Sequence, residues 1–257
     1  MVMKMSNWTI FTNKADLYSK YRPSYAIEFI REMVKRGILK EDKVVLDVGA
    51  GTGILTKMLV ETGAQVMAAE PNDSMREQLK SYLSNDNVLV SDGKAENLKG
   101  IEDNSIDAIF VGQAFHWFDP VLFKKECLRV LKKNNNVILV WNKKASGEME
   151  KDRKKIVEKY RSVVDSYNCS WDERDEGIAN FFKGKYEKII YENDLIETKD
   201  QFIGRTLSAS HAMEKDDPGF WEYLNEWDTY FEKYQKEGII TIKNETVVYI
   251  GCLTNED

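Results

Sequence analysis

Three closely spaced glycines follow an apolar run near the start of the chain, in the stretch VVLDVGAGTGILT at positions 44–56. Gly49, Gly51 and Gly53 lie within five consecutive positions, although a simple turn needs one glycine and each glycine costs conformational entropy on folding. Glycines between a strand and a helix let the backbone approach a ligand beyond the carboxyl end of a parallel sheet. The spacing therefore predicts a ligand-binding turn.

The residues around this turn indicate the charge of the ligand. A phosphate loop of the type GxxxxGK[ST] needs a lysine that is missing here. The dinucleotide pattern G-x-G-x-x-G also fails, because Ile54 and Thr56 stand where its third glycine would be. Asp47 precedes the turn, and a carboxylate there would repel a pyrophosphate but attract a cation. The pattern favours a cationic ligand.

Strands and helices alternate over the first 142 residues. Apolar strands are predicted at KVVLDV, AQVMAAE, NVLVS, SIDAIFV and VILVW. Buried strands of this kind, separated by helices, are typical of a parallel sheet covered on both faces. Asp119 and Pro120 are predicted to begin the helix after the fourth strand. The first helix is predicted at SYAIEFIREMVKR, with the apolar residues Ile27, Ile30, Met33 and Val34 on one face.

The chain changes character after Asn142, where a charged stretch leads into helical patterns. We expect residues 1–142 to form the ligand-binding core with an N-terminal lid. Residues 143–236 are expected to form a mainly helical insertion over the substrate, with one sheet strand near 186–197. Residues 237–257 would supply the last sheet strand or strands, as separate strands or a hairpin around Asn244. A stripe of aromatic residues at helical spacing favours a packed core over a substrate pocket: Phe220, Tyr223, Trp227 and Tyr234.

The composition excludes several classes of protein. The 257 residues are 42% hydrophobic and 11% aromatic, enough for a packed core. A net charge of -6 and a pI near 5.3 argue against a broad surface for nucleic acid or anionic lipid. No signal-like segment or membrane-spanning run is found, so we expect a cytoplasmic protein. The cysteines are few and far apart, which indicates neither a disulfide framework nor a metal site: Cys127, Cys169 and Cys252.

The stretch VLDVGAGTG resembles the first motif of the class I S-adenosylmethionine-dependent methyltransferases. The resemblance implies a doubly wound, mostly parallel, seven-stranded α/β sheet with an inserted helical segment. It also implies that Asp47 lies near the methionine end of the methyl donor, which carries an ammonium and a sulfonium. Glu70, at the end of the second strand in AAEPN, would accept hydrogen bonds from both ribose hydroxyls.

Further landmarks extend the resemblance across roughly residues 11–142. GKAEN resembles the adenine-binding segment, although Lys94 stands where many members have Asp. FVGQAFHWFDP and ADLYSKYRPSY resemble a branch that includes trans-aconitate methyltransferase-like proteins. The resemblance implies that the following residues contact the methyl donor: Tyr18, Tyr21, Arg22, Asp47, Gly49, Ala50, Gly51, Gly53, Glu70, Pro71, Met75, Ala95, Glu96, Gly112, Gln113, His116 and Trp117.

Several of these residues have a second interpretation. Tyr18 and Tyr21 fold over the donor or pack against a helix, with Arg22 as a candidate for the donor carboxylate. Met75 covers the adenine face or belongs to the core of its helix. His116 removes a proton from the methyl acceptor or, with a slight preference, holds the loop after the fourth strand.

The resemblance implies a methyltransferase that uses S-adenosyl-L-methionine, releases S-adenosyl-L-homocysteine, and methylates an oxygen or nitrogen of a small molecule by in-line displacement. The motifs of amino-methylating DNA and glutamine enzymes and of cytosine-C5 enzymes are missing after the fourth strand. Three alternatives stay open: a donor-binding regulatory protein without turnover, a protein or RNA methyltransferase, and a nucleotide-dependent oxidoreductase. Arg22 and Arg205 do not establish a site for the three carboxylates of trans-aconitate. The sequence names neither the acceptor nor the oligomeric state.

Overall fold

A computed structural model of the protein describes residues 23–84, 86–160, 171–209 and 212–253. The strands are β1 (Val44–Val48), β2 (Gln65–Ala69), β3 (Val88–Ser91), β4 (Ile106–Gly112), β5 (Leu131–Lys144), β6 (Glu187–Glu192), β7 (Leu195–Thr198), β8 (Ile239–Ile242) and β9 (Asn244–Cys252). The helices are α1 (Ile27–Lys35), α2 (Ile54–Val60), α3 (Asp73–Tyr82), α4 (Pro120–Val130), α5 (Glu148–Tyr160), α6 (Trp171–Phe181), α7 (Lys199–Leu207) and α8 (Phe220–Tyr234).

The main sheet has seven strands in the order β3-β2-β1-β4-β5-β9-β6. All neighbouring strands are parallel except β9, which runs antiparallel to both β5 and β6. Two large apolar clusters cover the two faces of this sheet. The predicted doubly wound, mostly parallel α/β fold is confirmed, and the strand order reverses between β1 and β4, where such sheets bind ligands.

The buried face of α1 differs from the predicted apolar face. Ile27 and Val34 are 47% and 45% exposed, so only part of that apolar face is buried. Phe29, which was not among the predicted residues, packs on the sheet with its ring 6.4 Å from that of Phe110. The buried side chains of α1 are Phe29, Ile30 and Met33.

The start of α4 is as predicted. The carboxylate of Asp119 accepts hydrogen bonds from the backbone amides of Val121 and Leu122, at 2.9 and 3.0 Å. Pro120 occupies the first helical turn, where its missing N–H group costs nothing. This helix start brings the chain back over the sheet directly after the loop that follows β4.

A second, smaller sheet forms outside the core. The segment predicted as one strand near 186–197 is two strands: β6 joins the main sheet and β7 pairs with β8. The chain leaves the main sheet at Asn193 and returns at Asn244, whose carbonyl accepts the Asn193 amide at 2.8 Å. The suggested hairpin around Asn244 was therefore wrong, because β8 and β9 belong to different sheets.

The helices α5, α7 and α8 pack with β7 and β8 around a core of their own, and we call these five elements the cap. The aromatic stripe of α8 is part of that core, since Phe220, Tyr223 and Trp227 are all buried. The hydroxyl of Tyr234 reaches the edge of the cap and donates to Asp152 at 2.8 Å. For the three buried rings, the preferred core interpretation is confirmed. Across the part of the chain that the structure describes, no helix is both long and apolar enough to cross a membrane.

Candidate functional site

The glycine turn joins the end of β1 to the start of α2. Gly49, Gly51 and Gly53 have φ angles of 69°, 59° and 92°, a region that residues with a Cβ rarely adopt. A Cβ at Gly49 would also lie 2.7 Å from the Cβ of Ala114. The glycines therefore provide a tight bend at the carboxyl end of the sheet that other residues would distort.

Asp47, on β1 beneath this bend, is fully buried. Its Oδ2 accepts a hydrogen bond from the Thr56 hydroxyl at 2.7 Å, while its buried Oδ1 has no hydrogen-bond partner among the described residues. Burial raises the pKa of Asp47 to about 7, and the negative charge of Glu70 adds to the rise, against the opposing Thr56 hydrogen bond. A buried carboxylate oxygen without a donor is costly unless a ligand supplies one.

Glu70 lies directly after β2 and is also buried. Its Oε2 accepts the amide of Gly51 and its Oε1 the amide of Asn72, both at 2.8 Å. Burial raises the pKa of Glu70, and these two hydrogen bonds oppose the rise. Because each carboxylate oxygen has two lone pairs, both oxygens retain capacity for a hydroxyl. Glu70 thus clamps the glycine turn, a role that the sequence did not predict.

A small cleft of about 30 Å³ opens above the turn. Six residues predicted to contact the donor line it: Asp47, Gly49, Ala50, Gly51, Gly112 and Gln113. Five further lining residues were missed: Pro23, Tyr25, Thr52, Ile54 and Leu55. A Cβ at Gly112 would lie 2.5 Å from the Tyr25 hydroxyl oxygen, so only glycine leaves room for this side chain. The glycine at the end of the fourth strand was therefore the sequence feature that could have indicated a close neighbour.

The other predicted residues that the structure describes do not line this cleft: Gly53, Glu70, Pro71, Met75, Ala95, Glu96, His116 and Trp117. Met75 is buried, with its sulfur 3.9 Å from the position that a Cβ on Gly51 would take. Ala95 is buried in the core, and Glu96 accepts the Asp119 amide at 2.9 Å. Tyr18, Tyr21 and Arg22 lie outside the described residues.

His116 belongs to a short 3-10 helix, Phe115–Trp117, in the loop after β4. Its ring lies 4.8 Å from that of Trp117, and Phe115 anchors the turn against Phe181 at 4.9 Å. Burial lowers the pKa of His116 to about 3, and the positive charge of Arg174 contributes. A ring that resists protonation is a weak proton acceptor, which weighs against the tentative catalytic role.

A polar cluster joins the chain just before α1 to the entrance of the cap. The side-chain amide of Asn193 donates to the Ser24 carbonyl at 2.9 Å and to Thr246 at 3.1 Å. Asn142 donates to the same Ser24 carbonyl at 3.0 Å, and Thr246 accepts the Ala26 amide at 2.9 Å. This cluster holds the segment that carries Tyr25 into the cleft.

Arg205 of the cap is paired with a carboxylate inside the cap. Arg205 and Glu197 are both buried and form a two-point ion pair with distances of 2.6 and 2.9 Å. A guanidinium committed in this way to a carboxylate does not offer a cation to a substrate. Within the described ranges, no group of three or more His, Cys, Asp or Glu side chains could hold a metal ion.

Residues 46–139 match the family model described as methyltransferase domain. An uncharacterized methyltransferase of Mycobacterium tuberculosis is 39% identical over 132 residues, which cover 51% of each chain. A methyltransferase-like protein of Schizosaccharomyces pombe, also uncharacterized, is 30% identical over 165 residues, 63% of this chain and 62% of the relative. The chain spans about half to two thirds of the length of these curated relatives.

Solved structures agree on the fold. A putative type II methyltransferase from Anaeromyxobacter dehalogenans superimposes with a TM-score of 0.65 at 18% identity, covering 90% of this chain and 98% of that one. At this identity the likeness shows the fold alone. The chain thus has the class I methyltransferase fold, and its residues 46–139 match a methyltransferase domain.

Proposed function

We propose that the protein transfers a methyl group from S-adenosyl-L-methionine to an oxygen or nitrogen atom of a small molecule. The observation that carries the proposal is the buried Oδ1 of Asp47, which has no donor in the described part of the chain. An oxygen placed so beneath a glycine bend fits a ligand that is cationic and carries its own N–H donors.

Other residues in and around the cleft fit the same ligand. Glu70 retains acceptor capacity for two ribose hydroxyls while it holds the Gly51 amide. Gly112 and Gln113 leave β4 next to the turn and line the cleft on its opposite side, where the methionine part would lie. Met75 borders the turn on the adenine side, and the loop of Ala95 and Glu96 follows β3, as the resemblance implies.

The methyl donor supplies an activated electrophile, so the chemistry needs little from the protein. The carbon–sulfur bond breaks with its electron pair passing to sulfur, while a lone pair of the acceptor forms the new bond to carbon and the acceptor loses a proton. The chain must hold that acceptor in line at about 3 to 3.5 Å from the methyl group and exclude water. The cap and the N-terminal segment are the candidate elements for this task.

Comparisons support the donor more than the acceptor. A phosphoethanolamine methyltransferase of Haemonchus contortus, solved with phosphomonomethylethanolamine and S-adenosylhomocysteine, has a TM-score of 0.51 at 18% identity, covering 95% of this chain and 57% of that one. The curated relatives carry no named acceptor. The branch of trans-aconitate methyltransferase-like proteins therefore stays an expectation from the HWFD string, and Arg205 is unavailable for its carboxylates.

Calorimetric titration with S-adenosylhomocysteine tests the donor site. We expect Glu70→Ala to weaken binding by about 1.5 to 3 kcal/mol, because charged hydrogen bonds to the ribose and the clamp on Gly51 are both lost. Glu77→Ala is the matched control, since Glu77 is an exposed acid on the adjacent α3. Unchanged affinity in Glu70→Ala would refute the assignment of the ribose.

A labelled-methyl assay tests turnover. We expect transfer from labelled S-adenosylmethionine into a pool of small metabolites, and none into RNA or protein. Binding of S-adenosylhomocysteine without transfer to any of the three pools would instead indicate a regulatory donor-binding protein. Binding of NADH in place of S-adenosylhomocysteine would favour an oxidoreductase.

A further inference from the structure

Two cations and two indole rings form a cluster where β5 meets α6, which we call the cation–indole cluster. The ammonium of Lys143 lies 4.9 Å from the ring centre of Trp171. The guanidinium carbon of Arg174 lies 4.5 Å from the same ring and 5.4 Å from that of Trp141. None of these four side chains lines the cleft above the glycine turn.

The cluster lies beside the donor cleft, on the side away from the ribose. β5 neighbours β4 in the sheet, and Gly112 at the end of β4 pairs with Val140, one residue before Trp141. The ring of Trp141 meets that of Phe115 at 6.5 Å, in the turn that carries His116. Glu70 lies on the opposite side, after β2, so an acceptor approaching the methyl group from the β5 side meets this cluster.

The groups in the cluster complement a negative charge. Lysine, arginine and indole N–H groups are donors without acceptor capacity. Trp141 is 1% exposed, and its buried Nε1 has no hydrogen-bond partner within the described ranges. The neighbouring acid of α6, Asp175, accepts from Lys188 at 2.8 Å and from the hydroxyl of Tyr249. Burial raises the pKa of Asp175, and the two hydrogen bonds together with the nearby charge of Lys143 lower it.

We propose that the cation–indole cluster binds an anionic group of the methyl acceptor, a carboxylate or a phosphate, with Arg174 and Lys143 as its specificity-determining residues. The inference rests on the proposed function and narrows its substrate to an anionic small molecule. The fork of Arg174 suits the two oxygens of either group, and Lys143 adds a point charge at the end of β5.

Fractionation of the acceptor pool tests the charge of the substrate before its identity is known. A metabolite extract is passed over an anion-exchange resin, and both fractions are assayed with labelled S-adenosylmethionine. Acceptor activity in the retained fraction is the expected result, and activity confined to the flow-through overturns the inference while leaving methyl transfer standing. Transfer to neither fraction overturns the proposed function and this inference together. Phosphatase treatment of the retained fraction distinguishes a phosphate ester, which is lost, from a carboxylate, which persists.

Variants test whether the cluster is responsible. With the retained fraction as substrate, Arg174→Gln should raise the apparent KM about 10- to 100-fold, because a charge-assisted contact is lost. Lys143→Gln should raise it less, and neither variant should change the affinity for S-adenosylhomocysteine. Lys133→Gln is the matched control, since Lys133 is exposed at the other end of β5.

The variants also separate binding from a structural role. Arg174→Lys keeps the charge and should recover part of the apparent KM lost in Arg174→Gln. A lower melting temperature in Arg174→Gln with an unchanged KM would show that the guanidinium only packs against the indoles, and would overturn the inference. If Arg174→Gln does not fold, an unchanged KM in both Arg174→Lys and Lys143→Gln overturns it equally.

Discussion

Asp47 in the cleft and Glu197 in the cap are both buried carboxylates, and their surroundings differ. Glu197 meets the guanidinium of Arg205 with both oxygens, so its charge is balanced inside the cap. Asp47 has one hydroxyl donor, from Thr56, while burial and the negative charge of Glu70 raise its pKa. The cap therefore buries a complete ion pair, whereas the cleft buries a carboxyl group that has no counterion among the described residues.

This difference separates stability from binding. A buried pair with complete hydrogen bonding holds a fold in one arrangement, and removal of one partner leaves an uncompensated charge. A buried acid without a counterion weakens the fold, and it is retained where a ligand supplies the missing charge. Removing the cation that pairs with Glu197 should therefore destabilise the protein, whereas removing the charge of Asp47 should stabilise it.

The largest effect is expected at the cap. Arg205→Met should lower the free energy of unfolding by about 3 to 5 kcal/mol, because Glu197 stays buried without its cation. Urea denaturation followed by tryptophan fluorescence measures it, with Trp227 reporting from the same core. Lys233→Met is the control, since its ion pair with Asp152 is exposed to solvent and should contribute far less to stability. A loss in Arg205→Met no larger than in this control would erase the contrast with the cleft.

The next effect is expected at the glycine bend. Gly49→Ala should destabilise the protein by about 2 to 4 kcal/mol, because a Cβ is strained at a φ of 69° and overlaps the Cβ of Ala114. Gly37→Ala is a matched control with a φ of 71° and nothing within 4 Å of the added Cβ. Thermal unfolding with and without S-adenosylhomocysteine compares the two, and only Gly49→Ala should abolish the shift due to the ligand. If both variants show the same destabilisation and the same ligand-induced shift, the strained φ angle alone accounts for the effect, and the overlap with Ala114 does not contribute.

A substitution at Asp47 should change the free energy of unfolding in the opposite direction. The pKa of Asp47 is raised to about 7 in the folded protein, against about 4 in an unfolded chain. The protonated form of Asp47 therefore stabilises the fold fully below about pH 4, and this contribution is lost as the pH rises through about 7. Above that pH, the buried charge is a penalty on folding. Asp47→Asn removes this penalty and should stabilise the ligand-free protein by about 2 kcal/mol near pH 8, with a smaller gain at lower pH.

The same substitution should weaken binding of S-adenosylhomocysteine, since the amide carries no charge for the ligand's ammonium. Unfolding free energies between about pH 5 and 8, together with calorimetric titrations, measure both effects. Asp47→Asn that is less stable than the original protein near pH 8 would show that the carboxylate is balanced within the fold, as Glu197 is.

Local features of the fold could be predicted from the sequence, and contacts between distant segments could not. Gly49 and Glu70 follow directly from strand ends and spacing, since they act within one or two neighbouring elements. The place of Tyr25 in the cleft depends on Ser24 meeting Asn193, 169 positions away. A contact between such distant residues produces no periodic pattern of apolar residues in the sequence.

The pairing of β7 with β8 was missed for the same reason. Leu195 pairs with Ile242, but two helices separate β7 from β8 in the chain and no short turn joins these strands. The aromatic core of the cap was predictable, because Tyr223 and Trp227 recur at helical spacing on one face. The separation of this core from the main sheet was not predictable, since KYEKIIYENDLIE resembles a single strand in the sequence.

The smallest effect is expected at the cluster that joins the two regions. Asn193→Ala removes the side-chain donors to Ser24 and Thr246 at the cap entrance, and should lower stability by about 1 kcal/mol. Because the same hydrogen bonds hold the segment of Tyr25, affinity for S-adenosylhomocysteine should fall a few-fold, and hydrogen exchange of the Ala26 amide should quicken. Asn225→Ala, on the exposed face of α8, should change none of these. If Asn193→Ala lowers stability without altering exchange at Ala26 or affinity, the cap and the cleft are energetically separate. In that case the cap's buried ion pair stabilises only the cap.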